Sequence, residues 1–228
     1  MKNLIKATIV FLLFIYPSLF YGQSFSGELC YKAEFEVLPS LQKSGITREV
    51  LIEQLRSNGL WFDEYCVTYG DNGAFRLTYK SNPLLYMIYL PDSNKNFTCF
   101  DTARTCYTVD ASLDKEFALG GQRPTIQIDT LYKIGKKICS AVKVIWSTGH
   151  FEYVFEPGYL PVNASLFENY HLDGWGQYLN VAGYLPIQIT KETTGMMRVT
   201  YTLVSVTEKH AAHHLFELPP YQIDYPQR

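Results

Sequence analysis

Three closely spaced histidines are the first residues whose arrangement could do chemistry. His210, His213 and His214 form His-x-x-His-His, a spacing that can set two imidazoles on one metal ion. A zinc site needs three or four protein ligands with ordered outer partners, and two imidazoles fall short of that. We expect a polar loop here, after the strand that ends near Val206, with no metal and no other cofactor. Glu152 and Glu156 share one face of a strand, but two period-two steps hold them about 13 Å apart. Paired glycosidase carboxylates lie closer, so a solvated strand face accounts for the two glutamates. His150 and His171 would support a hydrolase only with a nucleophile and a carboxylate both in hydrogen-bonding reach. Gly-x-Ser-x-Gly, His-Glu-x-x-His, a phosphate-binding glycine loop and a dinucleotide fingerprint are all absent. No catalytic residue is expected, and the chain reads as a non-enzyme.

The five cysteines, Cys30, Cys66, Cys99, Cys106 and Cys139, carry the covalent chemistry. If Phe100 and Thr105 face each other across a four-residue turn, Cys99 and Cys106 become the next cross-strand pair, at a separation that a disulfide spans. A Cys99–Cys106 bridge is therefore expected, the alternative being two free buried thiols. Cys30, Cys66 and Cys139 leave one cysteine over, and their pairing stays open. No Cys-x-x-Cys supports a redox site or a zinc ribbon. Asn96-Phe97-Thr98 and Asn163-Ala164-Ser165 match the glycosylation sequon, which matters only in a host that glycosylates exported proteins.

The elements that position these groups follow from composition and periodicity. The chain has 228 residues, 47% hydrophobic and 18% charged, enough to bury a core and too apolar for disorder. Its 20 basic and 22 acidic side chains give a formal charge of −2, so no basic excess marks nucleic acid as a partner. Aromatic residues reach 15%, with 18 Tyr and 14 Phe, types that favour strands and interfaces. Residues 1–23 begin with Lys2 and Lys6, run apolar from Ala7 to Phe20 apart from Thr8, Pro17 and Ser18, and reach Gly22 and Gln23. That is the layout of a secretory signal peptide, and the run is short for a membrane span of about 20 residues. The alternative is an uncleaved anchor. Without a cysteine at the end of the run, a soluble periplasmic or secreted product with no transmembrane span after cleavage is expected.

Residues 24–228 read as a single β-rich domain. Val142, Val144 and Trp146 alternate with Lys143 and Ile145, and Phe151, Tyr153 and Phe155 with Glu152 and Val154, around a turn at 147–150. Asp71-Asn72-Gly73 is the strongest turn signal, joining Tyr65–Tyr69 to Phe75–Tyr79. About ten strands are expected, in a mainly β fold with one large antiparallel sheet, a sandwich or a partly closed barrel. Thr47 is a good cap for a helix over Arg48–Arg56, with an Ile46/Leu51 staple and Gly59 to end it. A second helix is expected over Asn163–Tyr170, capped by Asn163.

Leu84-Leu85-Tyr86-Met87-Ile88-Tyr89-Leu90 has no polar face, although a one-sided strand should alternate. Both sides must be covered. One cover is core, for example against the helix at 48–56; the other is a greasy cavity on the concave face of a curved sheet. Tyr86, Met87 and Tyr89 are the candidate wall residues, being large, adaptable or tipped with a hydroxyl.

Asp129-Thr130, Ile134–Cys139 leading into Val142–Trp146, Gly183–Ile189, Val199–Val206 and Phe216-Glu217-Leu218-Pro219 together carry a resemblance over roughly residues 125–220. Their order resembles the half-barrel proteins of the bacterial periplasm and outer membrane, the group containing the lipoprotein carrier LolA. More closely it is similar to the GLPGF-like exported proteins of Bacteroidetes-type bacteria and related domains of unknown function. Ile138 stands before Cys139 where that family shows glycine. The resemblance implies an antiparallel half-barrel with short helices packed on it, used in the carrier to hold acyl chains. Two functions are therefore expected in competition: a binding or carrier protein for a lipid-like or other apolar small molecule, and a structural module that docks an envelope protein partner.

Overall fold

The computed structural model describes residues 24–58 and 61–224. The export signal expected at 1–23 and Gly59, the expected helix terminator, lie outside the described residues.

Where β-branched and aromatic residues alternate with polar ones, strands form. They are β1 (Gly27–Val37), β2 (Glu64–Tyr69), β3 (Phe75–Tyr79), β4 (Asn82–Leu90), β5 (Lys95–Phe100), β6 (Thr105–Asp110), β7 (Thr125–Ile134), β8 (Lys137–Trp146), β9 (Gly149–Phe155), β10 (Gln188–Thr193), β11 (Met197–Glu208) and β12 (Gln222–Asp224). All lie in one 12-stranded sheet, in the order β12-β6-β5-β4-β3-β2-β1-β11-β10-β9-β8-β7. Two meanders, β1–β6 and β7–β11, meet where β1 runs antiparallel to β11. One edge departs from the expected antiparallel pattern: β12 lies parallel to β6, because it arrives through the long segment 209–221 and not through a hairpin.

The connection from β6 to β7 requires the sheet to curl. Ten strand spacings separate these strands in the sheet, about 48 Å if it were flat. Residues 111–124, six of them helical, reach no further than about 40 Å. The large curved sheet expected from the sequence is thus present, with its concave side crossed by its own chain.

Turn chemistry fixes the local pairings. Ser147 and Thr148 alone join β8 to β9, and Gly73 adopts φ +84° between β2 and β3. Phe100 pairs with Thr105 and Cys99 with Cys106, and the expected Cys99–Cys106 disulfide is formed. A second bridge joins Cys30 to Cys66, directly opposed residues of β1 and β2. Cys139 is the buried free thiol.

Four short helices accompany the sheet: α1 (Pro39–Gln42), α2 (Arg48–Ser57), α3 (Lys115–Gly120) and α4 (Trp175–Ala182). Thr47 caps α2 as expected, its hydroxyl accepting from the Val50 N–H at 3.4 Å. The α2 residue Ile52 packs with Phe35, Val37, Trp61 and Val199, over β1 and β11 and not over β4. The helix expected at 163–170 is a single 3-10 turn, Ala164–Phe167, capped by the Asn163 side chain. The sequence reading missed α4, whose residues Trp175, Tyr178, Leu179 and Ala182 are buried at helical spacing.

The main core lies on the concave side, where segment 160–185 packs on β8, β9 and the first meander. On the convex side the C-terminal residues Leu218, Tyr221 and Ile223 cover Tyr86, Ile88, Phe97 and the Cys99–Cys106 bridge.

Candidate functional site

Between the two concave covers, α2 at one end and segment 160–185 at the other, the sheet floor is left partly open. Tyr201 packs against both clusters and marks the boundary. The resulting cavity is about 370 Å³. Its floor comes from seven strands: Tyr31 of β1, Tyr65, Val67 and Tyr69 of β2, Phe75, Leu77 and Tyr79 of β3, Met87 of β4, Phe151 and Tyr153 of β9, Ile189 and Lys191 of β10, and Tyr201 of β11. Tyr170, Leu172, Asp173 and Trp175 form the remaining wall.

Register explains why these residues converge. Direct pairing aligns Met87 with Leu77, Leu77 with Val67, Tyr79 with Tyr65, Tyr65 with Tyr31, Tyr201 with Ile189, and Ile189 with Tyr153. Opposed residues in a sheet share a face, so each row across the strands contributes one stripe to the floor. Seven of the 18 tyrosines of the chain line this one cavity.

The wall turn is locked by its own residues. Asp173 has φ 59° and Gly174 φ 72°, the left-handed region that Asp tolerates and Gly favours. A Cβ at Gly174 would lie 2.7 Å from Trp146 and 2.8 Å from Val144, so only glycine lets this turn press onto β8. The Tyr153 hydroxyl donates to the Asp173 carbonyl at 2.6 Å, and Tyr31 donates to the Pro186 carbonyl at 2.7 Å. Asn96 donates its amide to the Tyr170 hydroxyl at 3.0 Å.

Other polar groups at the cavity have no such partners. Among the described residues the hydroxyls of Tyr65, Tyr69, Tyr79 and Tyr201 make no hydrogen bond, and none of the four is sealed from contact. The exposed Asp173 carboxylate has no hydrogen-bond or ion-pair partner there either. The Lys191 ammonium lies 4.8 Å from the Phe151 ring centre, a cation–π contact. Burial pushes the Tyr31, Tyr65 and Tyr153 hydroxyls well above the ordinary tyrosine range, with neighbouring tyrosines adding to it and Asp173 contributing at Tyr65 and Tyr153. Burial, then Asp173, pushes Tyr201 up to about 12. The hydroxyls are therefore neutral and able both to donate and to accept.

The three wall residues expected from β4 separate. Met87 lines the cavity. Tyr89 shares its face but packs among Phe75, Phe167 and Tyr170, with its hydroxyl donating to Asn94 at 3.0 Å. Tyr86 points to the convex side, where the Arg76 guanidinium stacks 4.0 Å from its ring centre. Alternation along the strand imposes this split. The sequence reading missed Asp173 and Trp175; the Asp-Gly turn signal at 173–174 was the available sign.

The remaining candidates lie elsewhere. Glu152 pairs with Lys143 at 3.1 Å and Glu156 with Lys137 at 3.0 Å. The His171 ring contacts the Gln177 amide at 3.4 Å, and no described serine, threonine or cysteine side chain hydrogen-bonds to His150 or His171. His210 and His213 sit beside Asp71 and Glu217, at 3.8 and 3.5 Å, on exposed surface.

No protein-family model and no curated protein matches this sequence. Among solved structures, two crystal forms of PNGF-II are similar to it, each at a TM-score of 0.42 and 10% identity over 89% of this chain. The chain spans about a third of the length of those structures, 32% and 31%.

Proposed function

We propose that this chain is an exported binding protein that shelters a small ligand with apolar faces in the concave cavity. The observation that carries this reading is the cavity of about 370 Å³, walled by aromatic rings; sites for small molecules begin at about 300 Å³ and are mostly apolar with a few placed polar groups. Two disulfides support export, since such bridges persist in oxidising compartments. No helix among the described residues is long and apolar enough to cross a membrane. The half-barrel carriers that the sequence resembles use a curved sheet in the same way.

The test is to purify the exported chain under native conditions, extract it with water and with organic solvent, and identify small molecules by mass spectrometry. A molecule present in proportion to protein, and lost in Met87→Trp, which adds bulk inside the cavity, is the expected result. Extracts without any such molecule, together with no saturable change in tryptophan fluorescence on adding saccharides or fatty acids, would overturn the reading.

A second reading, a module that docks a protein partner, is favoured by one observation. Ile126, Ile128, Leu131 and Ile138 are 44%, 58%, 72% and 63% exposed on the β7–β8 hairpin, and β7 is an edge strand. Exposed apolar edges mark interaction sites. Ile128→Lys would abolish such docking and leave the cavity ligand in place.

A further inference from the structure

The polar inventory of the cavity narrows the chemistry of its ligand. An acyl chain would fill the ring-walled space, but it would leave the hydroxyls of Tyr65, Tyr69, Tyr79 and Tyr201, unpartnered among the described residues, facing methylene groups. Each would then be a polar group withdrawn from water without a hydrogen bond, an unfavourable exchange repeated four times. A ligand that is apolar on its faces and hydroxylated around its edge avoids this. Its C–H faces lie against the aromatic rings that wall the cavity, and its hydroxyls exchange hydrogen bonds with tyrosine tips that donate and accept equally well.

The charges favour the same class. One carboxylate, Asp173, and one ammonium, Lys191, border the cavity, so neither sign dominates and a net charge on the ligand gains nothing. The Lys191 ammonium already rests on the Phe151 ring. The Asp173 carboxylate is exposed and unpaired, and its two oxygens can accept from two adjacent hydroxyls. Its backbone is held in place by the Tyr153 hydrogen bond and by the left-handed turn that Gly174 permits, so the acceptor is positioned before any ligand arrives. A volume near the lower end for ligand sites suits one or two rings.

We infer that the cavity binds a neutral, polyhydroxylated ring, a mono- or disaccharide, with Asp173 accepting from a vicinal diol and the tyrosine hydroxyls meeting its edge. This rests on the binding-protein reading and specifies its ligand class.

The test is titration of the full exported chain with glucose, galactose, mannose, N-acetylglucosamine, maltose and cellobiose, followed by tryptophan fluorescence and ligand-observed NMR, with cis-parinaric acid as the acyl probe. At least one saccharide is expected to bind more tightly than about 1 mM. Asp173→Asn keeps a residue that accepts the left-handed backbone and is expected to weaken that binding at least about tenfold with an unchanged melting midpoint. Tyr65→Phe and Tyr201→Phe are each expected to weaken it several-fold. Binding of cis-parinaric acid with no saccharide bound overturns this inference and leaves the binding-protein reading standing. Saccharide binding that is indifferent to Asp173→Asn and to both Phe variants also overturns it, by placing the sugar elsewhere. Failure of every probe, with nothing co-purifying, removes both.

Discussion

The Tyr153 hydroxyl donates to the backbone carbonyl of Asp173 at 2.6 Å, a bond that ties the floor of the sheet to the turn forming the cavity wall. Both ends come from residues that line the cavity, so one hydrogen bond couples the shape of the site to the stability of the fold.

Tyr153→Phe keeps the ring and removes that bond. Urea unfolding is expected to show a loss of about 1–3 kcal/mol with an unchanged slope, because the Asp173 carbonyl loses its donor. A change within about 0.5 kcal/mol, the range of ordinary surface substitutions, would show that the carbonyl finds another partner.

Gly174→Ala should be worse. The added Cβ meets Val144 and Trp146 at under 3 Å, at a backbone angle of φ 72°; strain and overpacking together come to about 2 kcal/mol or more. The melting midpoint should fall by at least about 4 °C. An unchanged midpoint would mean that the wall turn is not pressed onto β8.

The two disulfides should contribute unequally. Their sequence separations are 36 for Cys30–Cys66 and 7 for Cys99–Cys106, and loop-closure entropy gives about 4 and about 2.5 kcal/mol respectively. Replacing each pair by alanine and comparing urea midpoints tests the order; equal losses would contradict it. Thiol labelling of the unreduced chain in denaturant should modify Cys139 alone, and slowly or not at all in the folded state, where it is buried.

Alkali should unfold the protein in a defined window. Unfolded tyrosine titrates near pH 10. Burial pushes Tyr89 and Tyr201 up to about 12, and Tyr31, Tyr65, Tyr153 and Tyr178 well above their ordinary value. Folded-state values above the unfolded one mean that stability is complete below about pH 10 and declines as pH climbs through about 12. Tyrosinate absorbance from these residues should therefore appear together with the loss of circular dichroism. A full tyrosinate signal near pH 10 from a folded chain would refute the upward shift of these tyrosines.

Local chemistry made much of the fold legible. Alternating residues announced β8 and β9, Asp71-Asn72-Gly73 announced the β2–β3 turn, and the spacing of Cys99 and Cys106 announced their bridge. Non-local pairing was not legible. The Cys30–Cys66 bridge depends on β2 returning against β1 across 26 residues that include two helices, which no spacing encodes. Helix α4 escaped because Gly176 sits in its first turn, a residue that lowers helix propensity. Here it serves close approach, since a Cβ would lie 2.6 Å from the Tyr170 carbonyl oxygen. Of the site, Met87 was named from β4, but the tyrosine floor needs the register of seven strands at once.

The β4 strand poses one more problem for the chain. From Leu85 to Leu90 both faces are apolar and covered, so the alternation that normally tells a strand which side is in and which is out is missing. A slip by one residue would exchange Met87 for Tyr86 at the cavity with little hydrophobic penalty. The information that prevents this must lie outside β4. It lies in the tight turn at Pro91–Asn94, with Asn94 at φ 49°, and in the Cys99–Cys106 link that pins the two strands beyond it. Part of the composition of the cavity is thus written in a turn and a covalent bond that do not line it.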